Sequence, residues 1–385
     1  MKPTQCILLL LVFCHFLTFS QTVKNKKDGG YEFTFIKKIE STPVKNQFKS
    51  STCWSFSTAS FFESEIMRAG KPAVDLSEMF FVRHTYAQKA DKYLRMMGAV
   101  NFGPGGAFHD VLQIMKSKGA MPNDVYTGGL NPYLKPQHGE IDQVLKAMLD
   151  AAIKLPDGKL NPNTRLAIDH TLDAYFGALP EKFKYEGKEY TPKEFNASLG
   201  LDPDQYVELS SFTHHPFYES FILEVPDNWA WKSVYNVPLN DLESIVQNAI
   251  TNNYTIAWGA DVSEFGFSMK NGIAVVHQKP KEEMSQAEKD SAFSSPFNEL
   301  TINEEIRQKA FDDLSTQDDH GMQITGMAKD QNGKTYYYVK NSWGTDANEL
   351  GGYFFCSSSY FRYKTTSILV NKKAIPESIA KKLKL

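Results

Sequence analysis

Cysteine is scarce in this sequence, with four in 385 residues. That scarcity excludes a miniature scaffold stapled by disulfides, and a composition 42% hydrophobic and 23% charged excludes a disordered or collagen-like chain. Neither sign of charge prevails. With 42 Lys+Arg against 45 Asp+Glu there is no global field to gather phosphate backbones, so nucleic acid is not an expected partner. Long apolar runs are also missing. The stretch from Cys6 to Cys14 falls short of the roughly 20 residues that a bilayer crossing needs. It follows Lys2 and leads to Ser20, the pattern of an export signal cleaved near Ser20. The expectation is a signal peptide over residues 1–20, an exported (secreted or periplasmic) mature chain from residue 21 to 385, and no stable membrane anchor.

Removing that segment takes Cys6 and Cys14 with it and leaves Cys53 and Cys356. Oxidising compartments favour paired cysteines, so an unpaired thiol there is either packing or chemistry. Cys356 closes the aromatic run Gly351-Gly-Tyr-Phe-Phe-Cys356, which reads as a buried strand with a packing thiol. Cys53 is set differently. After it Phe56, Ser60, Phe61, Ser64 and Met67 recur at spacings of three and four, and Gly70 and Pro72 supply a stop. The thiol therefore stands at a helix N-terminus, where free amide N–H groups and the helix dipole favour an anion. A small hydrophobe at a helix start fits this segment equally well.

The second half of the chain weighs on that choice. His320 opens an alternating segment through Met327, and Lys334 to Lys340 forms another that ends at Asn341-Ser-Trp-Gly344. A thiol, an imidazole and an amide are a nucleophile, its base and the group that orients the base.

These residues resemble the papain-like cysteine peptidases, in their bleomycin hydrolase and aminopeptidase C branch. Cys53-Trp54 matches the nucleophile and its tryptophan, His320-Gly-Met the base, and Asn341-Ser-Trp-Gly344 the orienting signature. Gln47 takes the place of the oxyanion-hole glutamine, and Gly105 and Gly106, with Trp343, take substrate-binding places. The resemblance implies an α+β, papain-like two-lobed fold: a helical lobe around Cys53 and a β-barrel-like lobe carrying His320 and Asn341. It also implies a thiolate–imidazolium pair, peptide substrates, no cofactor, no metal, and a homo-oligomer, hexameric in this branch. Two departures stand out. Ser50 occupies the place of the disulfide cysteine three residues before the nucleophile, and 267 residues separate Cys53 from His320, against roughly 130–150 in the papain pattern.

Insertions therefore fall at about 137–211, helix-like with a turn at 155–158 and a hairpin at 185–190, and at 278–315, a charged, helix-prone surface excursion. Between them, residues 240–250 read as an amphipathic helix capped by Asn240. Tyr254 to Trp258 reads as a buried strand. His214 and His215, as neighbours on a strand, would point to opposite faces and hold no metal. In this branch a C-terminal carboxylate anchors the substrate's amino group. Lys372–Leu385 matches the segment before that tail, with Ile379, Leu383 and Leu385 on one side of a docked helix. Aminopeptidase is the expected activity. An endopeptidase of the same fold, or a catalytically silent or nucleic-acid-binding homologue, is the alternative.

Overall fold

The computed structural model describes residues 22–129, 135–156 and 158–385. The expected signal segment and Asp157 of the expected 155–158 turn lie outside them.

The helical half is built around α1 (Cys53–Arg68), in which Trp54 through Ile66 are all buried. A helix buried on every side has no polar face to spare, and its many hydroxyls turn back onto its own backbone. Ser57 Oγ donates to Cys53 O at 2.8 Å and Thr58 Oγ1 to Trp54 O at 2.6 Å. Next comes α2 (Glu78–Arg95), where the Ser77 hydroxyl accepts from Phe80 N at 3.0 Å and closes the N-terminus. The apolar faces of α3 (Phe108–Ser117), α4 (Gly139–Ala152) and α5 (Asn163–Phe176) pack on α1 and α2 in one cluster that includes Ile141, Leu145, Leu149, Ile168 and Leu172. Arg83 of α2 reaches Asp169 and Asp173 of α5 at 3.3 and 2.8 Å. A short α6 (Pro192–Ser198) follows.

The other half is a sheet. Its strands are β1 (Thr22–Lys24) and β2 (Glu32–Lys38); then, after the separate hairpin β3 (Phe183–Tyr185) and β4 (Lys188–Tyr190), come β5 (Tyr206–Ser210), β6 (Ser220–Ile222), β7 (Ser233–Asn236), β8 (Ile256–Ala260), β9 (Phe267–Ser268) and β10 (Ile273–Ala274). The last four are β11 (His320–Asp330), β12 (Thr335–Lys340), β13 (Tyr353–Ser357) and β14 (Thr365–Asn371). Twelve of them hydrogen-bond as one continuous sheet in the order β6-β7-β5-β14-β8-β11-β12-β13-β10-β9, with β2 also on β11 and β1 on β2. Cys356 lies fully buried in β13 as an unpaired thiol.

One pair of residues lets the halves meet. Gly321 of β11 stands opposite Gly259 of β8. A Cβ on Gly321 would lie 2.8 Å from Ser57 Oγ and 3.3 Å from Trp54 Cα, and one on Gly259 would lie 3.5 Å from Phe108 Cζ. The missing side chains make a floor on which the starts of α1 and α3 rest.

The last residues of the 137–211 segment form β5, which pairs with β14. The 278–315 segment holds α8 (Gln286–Ser291) and α9 (Glu304–Asp312), and one face of α9 is tied inward. The buried Arg307 donates to the carbonyls of Ser211, Arg362 and Thr365 at 2.7, 2.9 and 2.6 Å. Finally, α7 (Leu239–Thr251) begins one residue before Asn240. Its free Leu239 N–H donates to Glu304 Oε1 at 3.1 Å, while Asn240 accepts from Arg362. A carboxylate from α9 thus does what a capping side chain would do. After α10 (Ser358–Lys364), α11 (Glu377–Leu383) buries Ile379 and Leu383 in the same cluster as α7, with Leu385 partly buried against it. No helix among the described residues is long and apolar enough to cross a membrane.

Candidate active site

Cys53 is the first residue of α1, and His320 the first of β11. Both line a cleft of about 470 Å³ between the helical half and the sheet. The glycine floor brings them together: Gly321, next to His320, faces Ser57 and Trp54 at the start of α1. Asn341 follows the last residue of β12, and its Oδ1 accepts from His320 Nε2–H at 2.7 Å. That bond fixes the neutral ring with its proton on Nε2, leaving Nδ1 as the free base. Asn341 is itself held, its amide against Met269 Sδ at 3.5 Å and its Oδ1 also accepting from Ser342 N at 2.7 Å. The Trp343 indole lies over the His320 ring, with centroids 4.8 Å apart and planes at 34°. It covers the histidine–asparagine bond and is absent from the cleft lining.

Gln47 is buried beside this corner. Its N–H donates to Ser342 O at 2.8 Å, and its Oε1 accepts from Ser342 Oγ at 2.5 Å. With the oxygen engaged, the amide nitrogen is the end left free to donate.

The two glycines part ways. Gly106 lines the cleft, and a Cβ there would lie 2.9 Å from the Trp54 ring. Gly105 does not line it, because the Asp227 carboxylate fills the space where its Cβ would be and Lys89 Nζ holds its carbonyl.

Burial and neighbouring charge act on both reacting groups. Burial pushes the Cys53 thiol up to about 12, and the negative charges of Asp227 and Asp318 add to the rise, against the opposing Gly321 N–H. Burial lowers His320 to about 4 despite its bond to Asn341. Taken one group at a time, both shifts run toward the neutral thiol and the neutral imidazole.

The cleft also holds His109, Glu208, Asp227, Asp318 and Asp319. His109 Nδ1 pairs with Glu208 at 2.8 Å. Asp318 and Asp319 directly precede His320 and were legible on that ground, whereas nothing in the sequence singled out Asp227.

His214 and His215 lie in a turn rather than a strand, so their side chains do not alternate. Both rings reach Glu224, at 3.1 and 2.7 Å, and the three form one cluster that could hold a cation. A second such cluster, Glu63, Asp75 and Glu78, is served by Lys45, which contacts all three.

With this geometry in place, two family models match the chain: Peptidase C1-like family over residues 176–385 and Papain family cysteine protease over residues 33–159. Aminopeptidase C of Lactobacillus delbrueckii subsp. lactis is similar at 22% identity over 404 residues, covering 94% of this chain and 86% of that one. Aminopeptidase C of Lactococcus lactis subsp. cremoris is 24% identical over 381 residues, covering 87% and 82%. The mitochondrial cysteine proteinase 1 of Saccharomyces cerevisiae (strain ATCC 204508 / S288c) is 22% identical over 417 residues, covering 93% and 80%. Among solved structures, PepW from Lactobacillus rhamnosis HN001 superposes with a TM-score of 0.72 at 18% identity, covering 91% of this chain and 84% of that one.

Proposed function

The chain belongs to the Peptidase C1-like family and is a cysteine peptidase; from that premise we propose that it is an aminopeptidase with Cys53 as nucleophile, His320 as base and Asn341 orienting the base. The observation that carries the assignment is the 2.7 Å bond from His320 Nε2 to Asn341 Oδ1 in a histidine that shares one cleft with the helix-N-terminal thiol.

In this reading, His320 Nδ1 takes the thiol proton as sulfur attacks the carbonyl carbon of the first peptide bond. The oxyanion is met by the free amide of Gln47 and the Cys53 N–H at the start of α1. The same proton then passes to the leaving amine, the C–N bond breaks, and a thioester remains. Water, deprotonated by His320, attacks the thioester, releasing the amino acid and restoring the thiol. Trp343 keeps water from the histidine–asparagine bond.

Aminopeptidase rather than endopeptidase action is supported by the aminopeptidase C relatives. Its test is a free-amino aminoacyl coumarin amide beside its N-acetylated twin. Faster cleavage of the free-amino form, abolished in Cys53→Ala and by iodoacetamide, is the expected result; faster cleavage of the acetylated form makes the protein an endopeptidase. Residues 1–20 are proposed as the export signal, and intact mass of the exported protein checks removal near Ser20.

A further inference from the structure

The catalytic cleft carries more negative charge than its chemistry uses. Four of the acidic groups in and around it are engaged. Glu208 accepts from Ser367 Oγ at 2.7 Å and pairs with His109. Asp319 accepts from Val262 N and Ser263 N at 2.9 and 3.1 Å. Asp110, just behind the wall, accepts from Ala107 N and Trp229 Nε1 at 3.0 and 2.8 Å. Asp261 accepts from Ser263 N and Gln317 N at 2.9 and 2.8 Å.

Asp227 and Asp318 differ. Both line the cleft, and no protein donor among the described residues reaches either carboxylate. His109 Nε2, also in the cleft lining, is buried without a hydrogen-bond partner, its nearest acidic contact being Asp110 Oδ1 at 3.9 Å. The cation nearest at hand is spent: Lys89 Nζ is turned onto the carbonyls of Gly103 and Gly105. Two half-buried carboxylates without donors are costly unless something brings them hydrogen bonds and positive charge. The strain shows in their acidity. Burial raises Asp227 to about 6, with Asp110 adding to the rise and Lys89 opposing it. Asp318 is raised well above the ordinary range by burial, then by Asp227, Glu208 and Asp319, with His109 opposing.

Position narrows what the missing cation can be. Both carboxylates are near enough to the Cys53 sulfur to disfavour its ionisation. When a scissile carbonyl sits on that sulfur, the α-nitrogen of the same residue is only two bonds from the carbonyl carbon. A lysine or arginine side chain carries its charge several bonds further off. Resting on the aminopeptidase reading above, we propose that Asp227 and Asp318 are the specificity-determining anchor for the free α-ammonium group of the substrate's first residue. That ammonium supplies the absent donors. It also discharges the field that holds the thiol protonated, so a free-amino substrate helps to activate its own nucleophile, whereas an acylated one does not.

The test uses the full chain and its Asp227→Asn and Asp318→Asn variants, with an aminoacyl coumarin amide, its N-acetylated twin, and iodoacetamide alkylation of Cys53 in the empty enzyme. Loss of one buried partner of a charge pair predicts that kcat/KM for the free-amino substrate falls about 30-fold or more, chiefly through KM. Turnover of the acetylated twin holds or rises. Alkylation of Cys53 quickens in Asp227→Asn, because a negative charge beside the sulfur is gone; a merely structural role would slow it. Equal losses on both substrates with slower alkylation overturn the proposal, as does unchanged selectivity. Failure of the parent reading looks different, since the unmodified enzyme itself then shows no preference for the free amine. A measurement on the unmodified enzyme covers misfolded variants: an amino acid amide protects Cys53 from iodoacetamide at concentrations where its N-acetyl analogue does not. Equal protection by the two overturns the anchor.

Discussion

His320 Nε2 and Asn341 Oδ1 lie 2.7 Å apart and join the first residue of β11 to the residue after β12. The two strands are antiparallel neighbours, with Gln323 facing Lys340, so the bond spans the open end of a hairpin and aims the imidazole at the start of α1. Asn341→Ala removes the only side-chain hydrogen bond on the ring among the described residues. Misplacement of a reacting group by about 1 Å costs on the order of 100-fold, so kcat/KM is expected to fall about 10- to 100-fold with the fold intact. A variant that keeps the parent rate, with unchanged iodoacetamide labelling of Cys53, contradicts this role for Asn341.

Gln47 supplies the side-chain donor of the proposed oxyanion hole. Removing one oxyanion donor costs about 2.7–4 kcal/mol, or 100- to 1000-fold in kcat, and Gln47→Ala is expected to lose that much with KM little changed. Ser342→Ala is expected to lose less. It frees the Gln47 oxygen that Ser342 Oγ now engages at 2.5 Å and so lets the amide turn, but the donor remains. Parallel kcat measurements rank the two, and an equal loss for both would mean that Ser342 acts through something other than Gln47.

The glycine floor gives a third expectation. A methyl group on Gly321 would meet Ser57 Oγ at 2.8 Å, Phe108 Cε1 at 3.3 Å and the α1 backbone at Trp54 Cα, also 3.3 Å. A hydroxyl rotates, but a helix backbone does not. Gly321→Ala is therefore expected to destabilise by about 1–3 kcal/mol, the usual cost of overpacking, and to displace the thiol from His320. Thermal unfolding reads the first effect and kcat the second; a variant unchanged in both would show that α1 does not rest on this floor.

The site was legible where its signals are local. Cys53 stands at a helix start visible in the spacing of Phe56, Ser60, Phe61 and Ser64, while His320 and Asn341 sit at strand ends marked by alternation and a turn. Backbone geometry alone fixes such positions. What stayed hidden depends on distant packing. Asp227 lies in the turn Val225-Pro-Asp-Asn228, which has no periodicity to read, and it gains meaning only because the chain carries it to Gly105 and into the cleft with Asp318. The α7 cap failed for the same reason. Asn240 has the right chemistry, yet Glu304 from another helix arrives first. His214 and His215 misled because alternation was assumed for a segment that turns. The thiolate–imidazolium pair came with the family resemblance, whereas the direction in which burial and charge shift Cys53 and His320 depends on packing, including that of Asp227, which the sequence does not place.

Lys340, one residue before Asn341, offers a test by pH. Its ammonium is buried against Ser60 Oγ at 2.6 Å and Thr42 Oγ1 at 3.1 Å. Burial lowers its pKa to about 8, an effect only partly offset by Glu63, Glu78 and Asp75 and reinforced by Lys45. The folded value lies below the unfolded one of about 10.4, so between those limits the unfolded chain binds more protons and stability rises with pH. Below about pH 8 the penalty is present in full, on the order of 3 kcal/mol at 1.36 kcal/mol per pKa unit. Lys340→Met removes the charge and keeps most of the volume. Ser60 stays hydrogen-bonded to Gln323 and Thr42 to Glu63, so no hydroxyl is orphaned, and the variant is expected to match or exceed the parent in stability at pH 7. Melting temperatures from pH 7 to 10 should climb relative to the variant in the parent protein alone. Parallel curves would mean that Lys340 is already neutral in the fold at pH 7 or is solvated well enough to keep its ordinary acidity.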